Sequence, residues 1–266
     1  MTALLAISRR ELLAILLAPT GAIVAALFLF FTSLVYFVLA PLIDAGFSQG
    51  QPASLRLFFE IGIWVFFLIA PAISMRSISE ELRLGTYEML MTAPVRESQV
   101  ILGKFLGSLG FLIVMLLPTI AYVIALAKFG RPDFGEIACG YLGLILIGAA
   151  YLATGMLAST LTSSQVLAYI GTAFFWLILL LATMALPHLA AALRSLAEQP
   201  DTSEIVSSFL RGLESAASLL STLSPMARVR DFVNGLADSF NVAYFVVFTS
   251  VFLVVAVRSL EMRRWP

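Results

Sequence analysis

The chain has one cysteine, Cys139, and one histidine, His188, among its 266 residues. A lone cysteine inside an apolar run excludes an internal disulfide, a cysteine-rich metal site and a redox pair. An intramembrane hydrolase needs a nucleophile with a base, and the single His188, beside Pro187, reads as structural instead. Charge is also scarce. Asp, Glu, Lys and Arg together make up 12% of the residues, against about 25% in soluble domains. Sixteen basic and sixteen acidic residues cancel, so net charge identifies no nucleic-acid or acidic partner. No Asp, Lys or Arg stands at the centre of any long apolar run. One placed there would cost about 2.5–3.5 kcal/mol and would mark an ion or proton path; Glu60 lies too near the start of its run to serve. A G-x-x-x-x-G-K-[ST] loop is absent as well, so the chain cannot cradle ATP by that device.

What is present is apolar. The hydrophobic fraction is 61% and the mean hydropathy +1.00, which describes an all-α polytopic membrane protein of one domain, residues 1–266. A first helix over residues 2–17, carrying Arg9, Arg10 and Glu11, reads as an interfacial helix; a secretory signal peptide fits less well, because the apolar run that follows is too long. Long apolar runs then predict six spans, over residues 21–43, 57–76, 105–127, two within 137–193, and 241–257. Pro71 and Pro118 should bend the second and third. The small polar cluster from Ser159 to Gln165 separates the fourth from the fifth. In the 188–240 segment, Ile205, Phe209, Leu213, Ala216, Leu220 and Leu223 recur at helical spacing, and Ser224 and Pro225 break that helix before a shorter one ending near Gly235. Such helices either cap the mouth of the bundle or rest on lipid.

Between the second and third spans lies the one strongly charged block, Arg76 to Lys104. A charged block between two spans must sit at a bilayer surface, and its Glu, Leu, Arg and Met favour an ordered helix there. Lys and Arg near span ends number nine on the side of both termini and this block, and seven on the other, four of them in the long 188–240 segment that weighs little. Both termini and the block are therefore expected in the cytoplasm. Gly103, Gly107 and Gly110 on the third span, and Gly140, Gly143, Gly148 and Gly155 on the fourth, offer close helix approach, within the bundle or at a dimer seam. Phe28, Phe30, Phe31, Phe174, Phe175 and Trp176 either line a path for an apolar cargo or face lipid.

The segment ISEELRLGTYEMLMTAPVRESQVILGKFLG resembles the signature of type-2 ABC exporter permeases, in particular the gliding-motility-type group. RRELLAILLAPTGAIVAALFLF near the start, and LSPMARVRDFVNG with YFVVFTSVFLVVAVRSLEMRRW near the end, are similar to that group too. The resemblance implies an interfacial helix over residues 2–17 and a coupling segment over residues 76–93 that enters a cleft of a cytoplasmic ATPase subunit. Within it, Ser77 to Leu84 would be the coupling helix, with Ile78 and Leu82 on one docking face and Glu80, Glu81 and Arg83 making polar contacts. Gly85 would end it in a left-handed conformation, Thr86 would cap a second short helix with Glu88 in its first turn, and Pro94 would end that one.

A permease subunit of this kind has no catalytic residues and binds no metal or cofactor itself, ATP and Mg being used by the ATPase partner. It pairs with a second permease copy or paralogue in a bacterial inner membrane, with no nucleic-acid partner. Two other classes fit the same residues. One is an assembly or mechanotransmitting factor that drives a periplasmic partner without cargo crossing; the other is a secondary transporter or channel that needs no ATPase.

Overall fold

The computed structural model describes residues 2–39, 54–85, 96–129, 132–197 and 204–262. The described chain is helical throughout. It runs α1 (Thr2–Leu17), α2 (Pro19–Leu34) continued by a π turn (Val35–Leu39), α3 (Arg56–Ser74), α4 (Ser79–Leu84), α5 (Glu97–Leu116), a 3₁₀ turn (Leu117–Thr119), α6 (Ile120–Phe129), α7 (Phe134–Leu161), α8 (Gln165–Ala197), α9 (Glu204–Leu223), α10 (Pro225–Val233) and α11 (Ser239–Met262). Six helical stretches are long and apolar enough to cross a membrane, and they begin at Pro19, Arg56, Glu97, Phe134, Gln165 and Ser239. The chain is thus a multi-pass membrane protein, with the spans where the long apolar runs place them. Pro118 converts the middle of the third stretch to a 3₁₀ turn, as expected of a residue with no N–H to donate.

Two elements extend the sequence reading. The fifth candidate span covers Gln165–Leu189, within the expected 137–193 stretch, and its helix α8 runs on to Ala197 with Pro187 inside it. Ala and Leu, the strongest helix formers, lie on both sides of the proline and outweigh the one bond it removes. The helix α9 packs along α8; among the described positions of its apolar stripe, Phe209 is 65% and Leu213 41% exposed. The helix that enters the bundle is α10, whose Val229, Phe232 and Val233 are buried.

The central post is α7, which packs against α3, α5, α8, α10 and α11. Its glycines explain why one helix can hold so many neighbours. Gly140 receives the Phe59 ring, Gly143 lies under Phe232, Gly148 under Leu112, and Gly155 against the Ser74 hydroxyl. A side chain at any of the four would drive these groups away. Around this post Phe58, Phe59, Phe66, Tyr151, Trp176 and Phe245 form a closed aromatic core. Of the candidate cargo-path aromatics, Phe28 and Trp176 belong to that core, whereas Phe30, Phe31 and Phe174 face outward.

The second glycine stripe seats α1. A Cβ on Gly107 would lie 2.6 Å from Glu11 Cβ and 2.8 Å from the Ser8 carbonyl oxygen, and one on Gly103 would lie 2.7 Å from Ile7. At Gly110 the nearest atom is Leu12 Cδ1 at 3.5 Å, an ordinary contact. The G-x-x-x-G pattern therefore serves packing within the chain, between α5 and α1. Gly107→Ala is expected to destabilise the purified protein by about 1–3 kcal/mol through overpacking, and Gly110→Ala to be neutral or to stabilise it by up to about 1 kcal/mol through helix propensity. Thermal unfolding in detergent distinguishes them; equal melting temperatures for the two variants would contradict this packing.

Candidate functional site

The helix α4 is short, and its sequence, SEELRL, carries Glu80 and Glu81 in the first turn and Arg83 in the last. That arrangement suits the helix dipole at both ends. Gly85 follows with φ +70°, the left-handed closure expected of it. Six residues cannot hold a helix unaided, so its position must come from neighbours, and two polar junctions supply it.

The first junction is a hydroxyl. The N–H groups of Ile78 and Ser79 both donate to Ser159 Oγ, at 3.0 and 2.8 Å, and Ser159 Oγ donates to the Met75 carbonyl at 3.3 Å. These N–H groups are among those that a helix start leaves without partners. Ser159 stands in the last turn of α7 and is itself buried. The usual capping residue is thus supplied from another span, and no side chain at the Ile78 cap position takes that role.

The second junction is an ammonium. Lys104, in the second turn of α5, is 6% exposed. Its Nζ donates to the Ser77 carbonyl at 2.5 Å and lies 2.8 Å from Glu81 Oε1 and 3.8 Å from Glu11 Oε2. A lysine buried to this degree is retained only when paired; here a carbonyl and two carboxylates, from three separate segments, surround it. Burial pushes the Glu11 carboxyl above its usual range; Lys104 opposes that rise and Glu81 adds to it. The junction ties α1, the turn before α4, α4 itself and α5 to one point.

The expected docking face is revised by this geometry. Ile78 is wholly buried within the chain, at the cap position and not on a helix face, because the turn over residues 75–78 tucks it under α4. Leu82 packs partly on the same core. The apolar residue that α4 presents outward is Leu84, 62% exposed, flanked by exposed Arg83 and Gly85. Glu80 is half-buried and Glu81 is engaged by Lys104. Arg9 and Arg10 lie exposed on α1, with Glu11 turned towards Lys104. Thr86, Glu88 and Pro94 lie outside the described residues. Sequence reading missed Lys104 and Ser159 as the holding groups. Lys104 stood in the charged block as one of its basic residues, and its charge at a span start was the available signal; Ser159 read only as part of a turn.

Comparison with known proteins agrees with this architecture. A family model described as "ABC-2 family transporter protein" matches residues 5–265. Over 124 residues, 47% of this chain, the sequence is 25% identical to the "Probable multidrug ABC transporter permease YbhR" of Escherichia coli strain K12, and equally to the protein of that name from Escherichia coli O157:H7. The matched stretch covers 31% of those relatives' length.

Replacing Lys104 by Met should destabilise the protein by about 3 kcal/mol, because the two carboxylates and the Ser77 carbonyl lose their common partner. The loss should shrink as pH falls. The Glu11 carboxyl already titrates above its unfolded value of 4.5, and without the lysine it rises further. The folded state then takes up a proton that the unfolded state does not, so stability is gained on the acid side and lost as pH rises through the folded value. Unfolding midpoints measured from neutral pH down to about 5 test this; a deficit independent of pH would contradict it.

Proposed function

The chain belongs to the ABC-2 family of transporter proteins, and from that membership we propose that it is the permease subunit of an ATP-driven exporter, moved by a separate ATPase at α4. As a permease of that family it is the membrane component of an ABC transporter. The proposal adds the point of coupling, the outward direction, and a bacterial inner membrane with both termini and α4 on the cytoplasmic side. A second permease copy or paralogue completes the transmembrane path. ATP and Mg belong to the partner. The resemblance of the α4 region to the gliding-motility-type group is part of the same proposal.

The observation that carries the reading is the way α4 is held. It is a six-residue helix whose inner side is fixed to span ends through Ser159 and Lys104, while its outer side shows Arg83, Leu84 and Gly85. A force applied at Leu84 would reach the end of the second span through Met75, the start of the third through Lys104, the end of the fourth through Ser159, and α1 through Glu11. Nucleotide can drive such a displacement only if the ATPase contacts α4 differently in its two states; that difference in contact free energy bounds the work available. No substrate is read from the geometry.

Leu84→Asp tests the docking surface. Full burial of a leucine is worth about 1.5–3 kcal/mol, so association with the partner ATPase should weaken about ten- to a hundredfold while the amount of folded permease in the membrane stays at the parental level. Ile78→Asp should act differently, lowering the folded amount because the charge enters this chain's own core. Co-purification and ATP turnover at matched membrane levels read both. If Leu84→Asp binds the ATPase and supports transport as the parent does, α4 is a passive linker.

A further inference from the structure

A cleft of about 550 Å³ opens at the α4 end of the bundle, between α1, the start of α2, the end of α3, α4 and α5. Cavities of about 300–1,000 Å³ hold small ligands. Its inner wall is apolar, with Ile15, Val24, Ile73 and Phe111. Its rim carries Arg76 and Glu80, neither of which forms an ion pair among the described residues, beside the cluster in which Lys104 pairs with Glu11 and Glu81. Ser77, 3% exposed, also lines it, and its buried hydroxyl has no hydrogen-bond partner. Buried hydroxyls without partners are uncommon and call for a reason. Ile23, at the cleft mouth, begins a stripe with Leu27 and Phe31 at i+4 and i+8 along α2, all three exposed. That stripe leads from the cleft into the apolar zone of the first span.

We propose that this cleft binds one aminophospholipid, its phosphate on Arg76, its primary ammonium on Glu80, and its acyl chains along Ile23, Leu27 and Phe31. The rim offers one free cation and one free carboxylate, which match a zwitterionic headgroup and neither a purely anionic nor a purely apolar ligand. A primary ammonium can donate to Glu80 where a trimethylated one cannot. The outward stripe favours a lipid over a soluble phosphoethanolamine. The Ser77 hydroxyl gains a phosphate oxygen as partner. A lipid seated there touches α1, α2 and α4 at once. The site rests on the membrane bundle and not on ATPase docking, so it stands or falls independently of the coupling reading.

The test is native mass spectrometry of the full chain released from detergent in the presence of phosphatidylethanolamine, phosphatidylcholine or phosphatidylglycerol of matched chains. A single retained phosphatidylethanolamine is expected in preference to the other two. Arg76→Gln and Glu80→Gln should each reduce that preference about fivefold, the scale of a solvent-screened ion pair, and Ser77→Ala serves as a mild third variant. Free phosphoethanolamine should not displace the lipid at equal concentration. Equal retention of the three lipids, preference unchanged in the three variants, or displacement by free phosphoethanolamine would overturn the proposal.

Discussion

The buried ammonium of Lys104 sets the arrangement of one whole end of this protein. An unpaired charge in that position would be prohibitive, so the folded chain must bring it partners, and no single neighbouring helix provides enough of them. Glu11 comes from α1, Glu81 from α4 and the Ser77 carbonyl from the turn between α3 and α4. The turn and α4 are too short to be fixed by apolar burial alone, and α1, seated on the glycines of α5, is joined to them through the same cation. Their common need for one cation makes their positions interdependent. Ser159 extends that dependence to α7 by capping α4 from across the bundle.

The opposite end is held differently. There α10 is bound to the start of α11 through Arg228, which donates to Asn241 Oδ1 at 3.0 Å while Asn241 Nδ2 donates to Asp231 at 2.8 Å, and the guanidinium lies over the Phe240 and Tyr244 rings. Nearby, hydroxyls pair within an aromatic cluster: Ser33 with Tyr122, and Thr119 with Tyr141 at 2.8 Å. The π turn over Val35–Leu39 and the 3₁₀ turn over Leu117–Thr119 flank this cluster. Irregular turns release backbone groups, and π turns are often found at functional positions. Between the two ends, the glycines of α7 permit an approach that larger residues would forbid.

Much of this was legible in the residues. Apolar runs of membrane length marked all six spans, since burial in lipid demands continuous apolar sequence. Gly85 signalled the end of α4, and the glycine spacing on α5 and α7 signalled close approach, although not which helix would come near. What escaped was long-range. Ile78 and Leu82 share a spacing that suits a docking face, but the turn over residues 75–78 buries Ile78 in this chain's own core, and spacing carries no information about turns. The apolar stripe of α9 marked a helix but left open whether it caps the bundle or rests on lipid, because periodicity shows that a helix is two-sided, not which side meets the bundle. Lys104 and Ser159 hold α4 from 20 or more positions away in sequence, beyond the reach of any local pattern.

The central claim is that α1 and α4 move as one unit because Lys104 joins them. Spin-label distances measure it most directly in the permease–ATPase complex, with Cys139→Ala as background. One pair is placed at Arg83→Cys and Leu13→Cys, both exposed positions on α4 and α1, and the other at Arg83→Cys and Met262→Cys at the end of α11. The account predicts that adding ATP leaves the first distance unchanged and shifts the second. A nucleotide-dependent change in the first distance would show that α4 moves without α1, and would contradict it.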